Sequence, residues 1–100
     1  MFIAIVDFRT APSDRPVARA QLDLERPAVL TMPGCVDFRV FDSGEDPGGL
    51  TVLHEWTDEA SFAGYLRSDE FAQSGEVIRP LMTEPPVSRR FHAELAELVN

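Results

Sequence analysis

Three side chains in the sequence, Asp7, His54 and Tyr65, are of types that move protons. A carboxylate next to an imidazole fixes which ring nitrogen carries the proton and raises the basicity of the ring. Asp7 and His54 each lie in a segment with the pattern of a β-strand, and they can act jointly as a general base if both face the same side of one sheet. A tyrosine hydroxyl can hydrogen-bond a substrate oxygen or donate a proton to it. The chemistry indicated is therefore acid–base catalysis.

Each of these residues also has a purely structural interpretation. His54 can be a partly buried, hydrogen-bonded strand residue, and Asp7 can be a charge at the end of its strand or an acceptor in a turn. Tyr65 can be an amphipathic residue whose hydroxyl lies in water. The choice depends on which side of the sheet each residue faces.

Apolar residues close to His54 are candidates for the wall of a binding cavity. Because side chains alternate along a strand, Val52, His54 and Trp56 share one side of the third predicted strand. Trp56 can either line a cavity or pack in the core against the next helix, and Phe62 on that helix has the same two possibilities. Val52, Trp56 and Phe62 are therefore candidates for an apolar wall if this side of the sheet borders a cavity.

The remaining reactive side chains do not form a recognisable site. Two histidines and one cysteine on separate strands lack the spacing of metal ligands, so we expect no metal. Cys35 is predicted to be a small buried apolar residue, and His92 to lie at the surface or in a dimer interface. The absence of lysine excludes Schiff-base chemistry, and no phosphate-binding loop occurs.

Apolar periodicity and turn residues predict the elements that position these side chains. Residues 1–9 have the pattern of a strand that is apolar on both sides, and strands are also predicted over residues 35–42, 50–56 and 87–94. A first helix begins at Ser13 or Asp14 and ends at Pro33-Gly34. Further helical segments begin at Thr57 or Asp58 and at Ser68. The predicted apolar stripe of the first helix consists of Val17, Ala20, Leu24 and Ala28.

The element order βαββαβ is the ferredoxin-like α+β plan, in which helices cover one face of a four-stranded antiparallel sheet. We expect a single domain over residues 1–100, of which residues 93–100 form a short C-terminal tail. The second apolar side of the first strand would lie in water on the uncovered face of the sheet. A homodimer that pairs two such faces would bury it.

Composition limits the class of partner. The 100 residues are 44% hydrophobic and carry a formal net charge of −8, which repels phosphate backbones and anionic membrane surfaces. No apolar run approaches the roughly 20 residues of a membrane span. We therefore expect a soluble, cytoplasmic protein that binds neither nucleic acid nor membrane.

Three local patterns occur in the order that this fold requires: residues 33–38 (PGCVDF), 55–62 (EWTDEASF) and 65–71 (YLRSDEF). Together they resemble the antibiotic biosynthesis monooxygenase family, the dimeric α/β-barrel proteins, over nearly the whole chain. The resemblance implies a homodimer with a small apolar cavity between sheet and helices in each subunit. All nine basic residues are arginine, and this composition indicates a GC-rich bacterial genome. Many members oxygenate phenolic or quinol substrates with dioxygen and need no metal, flavin or nicotinamide.

The sequence departs from the family at defined positions. Many members carry histidines where this chain has Tyr65 and Glu70. A haem-degrading branch of the same fold uses an asparagine, a tryptophan and an iron-binding histidine at positions that match Asp7, Tyr65 and Gly75 here. Because glycine cannot ligate iron, haem degradation is not expected.

The resemblance and the residues together predict a cofactor-independent monooxygenase that acts on a phenolic, anthrone-like or hydroquinone substrate, in polyketide or antibiotic biosynthesis. Asp7 and His54 would be the base and Tyr65 the proton donor, with Val52, Trp56 and Phe62 as the wall. The alternative is a non-oxygenating small-molecule binder or cyclase of the same fold. A structural dimerisation module is a third possibility, and it predicts that side chains fill the space between sheet and helices.

Overall fold

The computed structural model describes residues 1–100 as four strands and three helices in the order β1-α1-β2-β3-α2-α3-β4. The strands are β1 (Phe2–Arg9), β2 (Cys35–Asp42), β3 (Gly49–Trp56) and β4 (Val87–His92). The helices are α1 (Arg15–Leu30), α2 (Glu59–Leu66) and α3 (Asp69–Ile78). The strands form one antiparallel sheet in the order β2-β3-β1-β4, which confirms the ferredoxin-like prediction.

Side-chain hydrogen bonds begin the two later helices, as predicted. Asp58 accepts a hydrogen bond from the Ser61 amide at 2.8 Å, and Ser68 accepts one from the Phe71 amide at 3.2 Å. The first helix begins without such a bond from Asp14. No helix has both the length and the apolar character needed to cross a membrane.

The two sides of β1 have different environments. Phe2, Ala4 and Phe8 are buried against the helices and belong to the hydrophobic core. Ile3 and Ile5 lie on the opposite, uncovered face, in line with the alternation of side chains along a strand. The core is thus built on the even-numbered side of β1.

The predicted apolar stripe of α1 is wrong. Val17 is 51% exposed and Leu24 is 75% exposed, whereas the side of the helix that faces the core carries Ala18, Leu22, Glu25 and Val29. The two stripes have the same helical period and differ in rotation about the helix axis by about 100°, the angle between successive residues. Periodicity therefore identified the helix without identifying its buried side.

The uncovered face of the sheet contains several apolar side chains. Ile3 pairs with Phe91 on β4, and Ile5 pairs with Leu53 on β3, so these four residues share this face. Phe91 and Phe41 are each 45% exposed. Such a row of exposed apolar groups is typical of an interaction surface.

Gly34 connects the end of α1 to β2 in a conformation that other residues rarely adopt. Its φ is +79°, and its carbonyl accepts a hydrogen bond from the Thr57 amide at 2.8 Å. A Cβ at this position would overlap the Ser61 side chain and would lie 2.8 Å from Thr57 Oγ1. Only glycine meets both requirements.

We therefore expect Gly34→Ala to lower the free energy of unfolding by about 2–4 kcal/mol, from backbone strain and overpacking together. Urea denaturation measures this change. Gly44→Ala is the matched control, because nothing lies within 4 Å of a Cβ at Gly44. Equal stability of the two variants would contradict the prediction.

Candidate functional site

A cavity of about 200 Å³ lies between the helices and the sheet. Its apolar walls are Val6, Phe8, Leu22, Phe38, Val52, Phe62, Leu66, Phe71 and Ile78. The polar groups of Glu25, His54, Tyr65 and Ser74 also border it, and exposed residues of β4 and of the segment after α3 form its mouth. Side chains therefore do not fill this space, contrary to the expectation for a purely structural module.

The wall includes two of the three predicted apolar residues. Val52 and Phe62 border the cavity, whereas Trp56 does not. Trp56 is fully buried, and its ring stacks on the ring of Tyr65 with 5.5 Å between the centroids. Strand alternation correctly placed Trp56 on the same side as His54, but Trp56 lies at the end of the strand, beyond the cavity, and packs in the core.

His54 is buried in the cavity wall and has a fixed pattern of hydrogen bonding. Its Nδ1 accepts a hydrogen bond from Trp56 Nε1 at 2.9 Å. Because an indole nitrogen can only donate, Nδ1 carries no proton, and the neutral ring holds its proton on Nε2. Burial, followed by the positive charge of Arg90, lowers the pKa of His54 to about 4. At neutral pH, His54 therefore presents an N–H donor, and this arrangement does not suit it as a base.

Asp7 lies on the uncovered face of the sheet, opposite to His54. The strand register pairs His54 with Ala4, whereas Asp7 pairs with Thr51. The Asp7 side chain is 47% exposed, accepts a hydrogen bond from Thr51 Oγ1 and lies 3.3 Å from Arg89 Nη2. The predicted Asp7–His54 pair is therefore not formed, because the opposite side of β1 faces the helices.

Tyr65 projects from α2 into the cavity wall, and its hydroxyl is already engaged. Tyr65 Oη donates to Glu25 Oε1 at 2.7 Å. Burial, followed by the charge of Glu25, raises the pKa of Tyr65, so the phenol remains protonated. Its ring also lies against His54, with 5.5 Å between the centroids. Tyr65 therefore packs against the imidazole and donates a hydrogen bond to a carboxylate that lies outside the predicted site.

That carboxylate, Glu25, is the residue that the sequence interpretation missed. It lies on the buried side of α1, is only 5% exposed and accepts hydrogen bonds from Tyr65 and from the Ser74 hydroxyl of α3. Gln21 Nε2 in turn donates to Ser74 Oγ at 3.3 Å. The pKa of Glu25 is raised to about 7, chiefly by burial. The hydrogen bond from Tyr65 opposes this rise, and the negative charge of Glu70 adds to it. A pKa in this range suits a general base at neutral pH.

A signal for Glu25 was present in the sequence. Glu25 lies three residues after Leu22 and four before Val29, so it occupies an apolar stripe of α1. A carboxylate in such a stripe is buried only when partners satisfy its oxygens. Tyr65 and Ser74, which supply them, are 40 and 49 residues away along the chain.

The other candidate ligands do not converge. Cys35 is half-buried, and burial raises the pKa of its thiol. His92 is exposed, and its Nε2 lies 3.1 Å from Glu59 Oε1. No group of three or more His, Cys, Asp or Glu side chains is arranged to hold a metal ion.

The pH dependence of stability should reveal the state of Glu25. Folding raises the pKa of Glu25 from 4.5 to about 7, so the folded state holds more protons and its stability falls as pH rises across this interval. Folding lowers the pKa of His54 from 6.5 to about 4, so His54 makes stability rise with pH in between. The two contributions therefore oppose each other from about pH 4.5 to 6.5.

Glu25→Gln removes only the falling contribution. Relative to the wild type, the variant should gain up to about 3 kcal/mol of stability between pH 4.5 and 7, added to a constant offset. Urea denaturation at a series of pH values measures the difference. Asp23→Asn, an exposed carboxylate on the same helix, is the control. A difference that does not change with pH would contradict the raised pKa of Glu25.

We compared the chain with known protein families and solved structures. The family model described as antibiotic biosynthesis monooxygenase matches residues 1–76. Rv0793 from Mycobacterium tuberculosis superposes with a TM-score of 0.86 at 20% identity, over 98% of each chain. A protein of Deinococcus radiodurans assigned to antibiotic biosynthesis monooxygenases superposes with a TM-score of 0.89 at 17% identity, over 100% of this chain and 99% of the other.

A conserved protein from Methanosarcina mazei Go1 is 23% identical over 94% of each chain, with a TM-score of 0.86. No curated protein matches the chain. At these identities the solved structures establish the fold alone.

Proposed function

The chain belongs to the antibiotic biosynthesis monooxygenase family, and from this premise we propose that it oxidises a phenol or hydroquinone with dioxygen, without metal, flavin or nicotinamide. The observation that carries the proposal is a buried carboxylate with a pKa of about 7 in the same apolar cavity as a neutral imidazole donor. The family supplies the type of reaction, and these groups supply its proton transfers. The substrate would be an aromatic intermediate of polyketide or antibiotic biosynthesis.

The size of the cavity favours one aromatic ring. An apolar protein cavity of about 150 Å³ takes up benzene. The cavity of about 200 Å³ therefore has room for one ring with its hydroxyl groups. A tricyclic anthrone would have to extend through the mouth.

The first step is removal of a phenol proton. Ionised Glu25 takes the proton, and the hydrogen bond from Tyr65 keeps the carboxylate oriented. The Nε2–H of His54 donates a hydrogen bond to the phenolate oxygen as its charge develops. This assigns the base to Glu25 in place of Asp7 and His54, and gives Tyr65 a positioning role.

The phenolate then reacts with dioxygen in the apolar interior of the cavity. It transfers one electron to dioxygen, and the two radicals combine to form a carbon–oxygen bond and a peroxide anion. The protonated Glu25 returns its proton to the outer peroxide oxygen, which gives a hydroperoxide on the ring carbon. That carbon then loses its hydrogen as a proton and forms a carbonyl group while the oxygen–oxygen bond breaks, and the departing hydroxide takes up the proton and leaves as water. For a hydroquinone, one oxygen atom enters the ring, the other becomes water, and the substrate supplies all four electrons.

A homodimer is the assembly that we propose. The uncovered sheet face, with Ile3, Ile5, Phe41, Leu53 and Phe91, would be buried against the same face of a second copy. Asp7 and Arg89 lie on this face and would come close to the interface. The cavity opens on the other side of the sheet, so pairing would leave its mouth accessible.

Dioxygen uptake by metal-free protein tests the proposal. Phenols, hydroquinones and anthrones are compared with their spontaneous oxidation, and ¹⁸O₂ is used to follow both oxygen atoms. We expect uptake above the blank with a one-ring substrate, one labelled atom in the product and one in water. Uptake no faster than the blank for every compound would contradict it.

A cyclase is the second candidate, and the same pair of groups favours it. A carboxylate base opposite a neutral N–H donor also suits enolisation of a carbonyl compound, which needs no dioxygen. Turnover or ligand-induced stabilisation under nitrogen, without uptake of dioxygen in air, would identify a cyclase or a binder.

A further inference from the structure

The arginines of the chain fall into two groups. Six of the nine lie within 4.0 Å of a carboxylate: Arg9, Arg15, Arg19, Arg26, Arg39 and Arg89. Arg67, Arg79 and Arg90 have no such partner, although the chain contains 17 acidic residues. Arg79 and Arg90 both border the cavity, whereas Arg67 does not. Two of the three unpaired positive charges are therefore at one site.

Arg90 is held at the mouth from the side of the sheet. It lies on β4, its Nε donates to Ser88 Oγ at 3.2 Å, and its Cζ lies 4.9 Å from the centre of the Phe62 ring. These contacts use the edge and the face of the guanidinium but leave its terminal nitrogens without a protein acceptor. The charge also acts inside the cavity, since it contributes to the lowered pKa of His54.

Arg79 approaches from the side of the helices. It follows the end of α3, and its guanidinium packs over Gly75, where a Cβ would lie 3.4 Å from Arg79 Nε. Gly75 also borders the cavity, so the missing side chain leaves room for the guanidinium beside the opening. Arg79, which follows α3, and Arg90 on β4 thus both border the cavity, one from the side of the helices and the other from the sheet.

We infer that the substrate carries a carboxylate, which Arg79 and Arg90 bind at the mouth while the aromatic ring occupies the apolar interior. A planar guanidinium matches the two oxygens of a carboxylate, and two guanidinium groups without a carboxylate partner in the protein form a site for an anion. The net charge of −8 would otherwise repel an acidic substrate, so local positive charge is needed at the entrance. This inference deepens the proposed function and rests on the same cavity.

Anaerobic binding tests the inference without requiring turnover. Isothermal titration calorimetry under nitrogen compares matched acids and amides: 4-hydroxybenzoate, 4-hydroxyphenylacetate and 3-(4-hydroxyphenyl)propionate, each against its primary amide. At least one acid should bind about tenfold more tightly than its amide, the advantage expected of a charge-assisted pair. Raising the sodium chloride concentration should reduce that preference.

Charge-neutralising variants locate the preference. Arg79→Gln and Arg90→Gln should each reduce the acid-to-amide ratio about threefold or more, and the double variant should bring it close to one. Arg67→Gln, the third unpaired arginine, should leave the ratio unchanged. All three arginines are exposed, and circular dichroism verifies that the variants are folded.

Several outcomes would overturn the inference: no acid binding more tightly than its amide, a preference that survives in the double variant, or an equal loss in Arg67→Gln. Dioxygen uptake on the same compounds is measured separately. An acid preference that depends on Arg79 and Arg90, in a protein that consumes no dioxygen, would support the carboxylate site and contradict the oxygenase.

Discussion

Glu25→Gln should slow substrate-dependent dioxygen uptake by about 10²- to 10⁴-fold, the usual contribution of a general base. The amide retains the size of the side chain but cannot take up the phenol proton. In the wild type, uptake should rise with pH around a midpoint of about 7, where Glu25 becomes ionised. The variant should lose this dependence. An oxygen electrode, used at a series of pH values, measures both effects. The control variant Asp23→Asn changes an exposed carboxylate and should match the wild type.

Tyr65→Phe separates the base from the residue that positions it. The Tyr65 hydrogen bond lowers the pKa of Glu25, so its removal should move the midpoint of the rate profile to higher pH while leaving a measurable rate. A merely structural role for Tyr65 would lower the rate at all pH values without moving the midpoint.

Full activity in Glu25→Gln would contradict the assignment of Glu25 as the base.

Trp56→Phe should lower the free energy of unfolding by about 2–4 kcal/mol. Trp56 is fully buried, so the smaller ring leaves a gap in the core, and His54 Nδ1 loses its donor. For a domain of this size the loss corresponds to a decrease in Tm of roughly 10 °C or more. Thermal and urea denaturation measure it.

The same variant tests which nitrogen of His54 carries the proton. Nitrogen-15 NMR of the wild-type protein at pH 7 should show His54 protonated at Nε2 alone, because Trp56 donates to Nδ1. In Trp56→Phe the proton should be shared between the two nitrogens. His92, the other histidine, is exposed and serves as the internal reference. A proton on Nδ1 in the wild type would contradict the assignment of His54 as a donor.

The sequence was sufficient to predict the architecture, because the apolar periodicity and the turn and capping residues determine the order of strands and helices. The order of elements, the caps at Asp58 and Ser68 and the family resemblance were all predicted and are confirmed. The errors on β1 and α1 have one cause. When a strand or helix has apolar residues on two sides, its type is clear from the spacing of those residues but its buried side is not. Asp7 and Leu24 were therefore assigned to the wrong side.

The candidate site was predicted only in part, for a different reason. His54, Tyr65, Val52 and Phe62 border one cavity, whereas the roles assigned to them in binding and proton transfer stay predictions. Glu25 was missed because a single charged residue in a helix is ordinarily solvated, and its burial depends on hydroxyl groups of two other helices. Contacts between residues so far apart in the sequence form only when the helices pack, so the residues next to Glu25 in the chain give little sign of them.

The stacking of Trp56 on Tyr65 gives the site its own optical signal. The chain contains one tryptophan and one tyrosine, and these are the two rings that lie 5.5 Å apart beside His54. Near-ultraviolet absorption and intrinsic fluorescence therefore originate almost entirely next to the cavity, with no distant chromophore to dilute them. Occupancy of the cavity, or a proton arriving on His54, changes the surroundings of the single indole. The protein thus carries a built-in spectroscopic reporter of its own ligand.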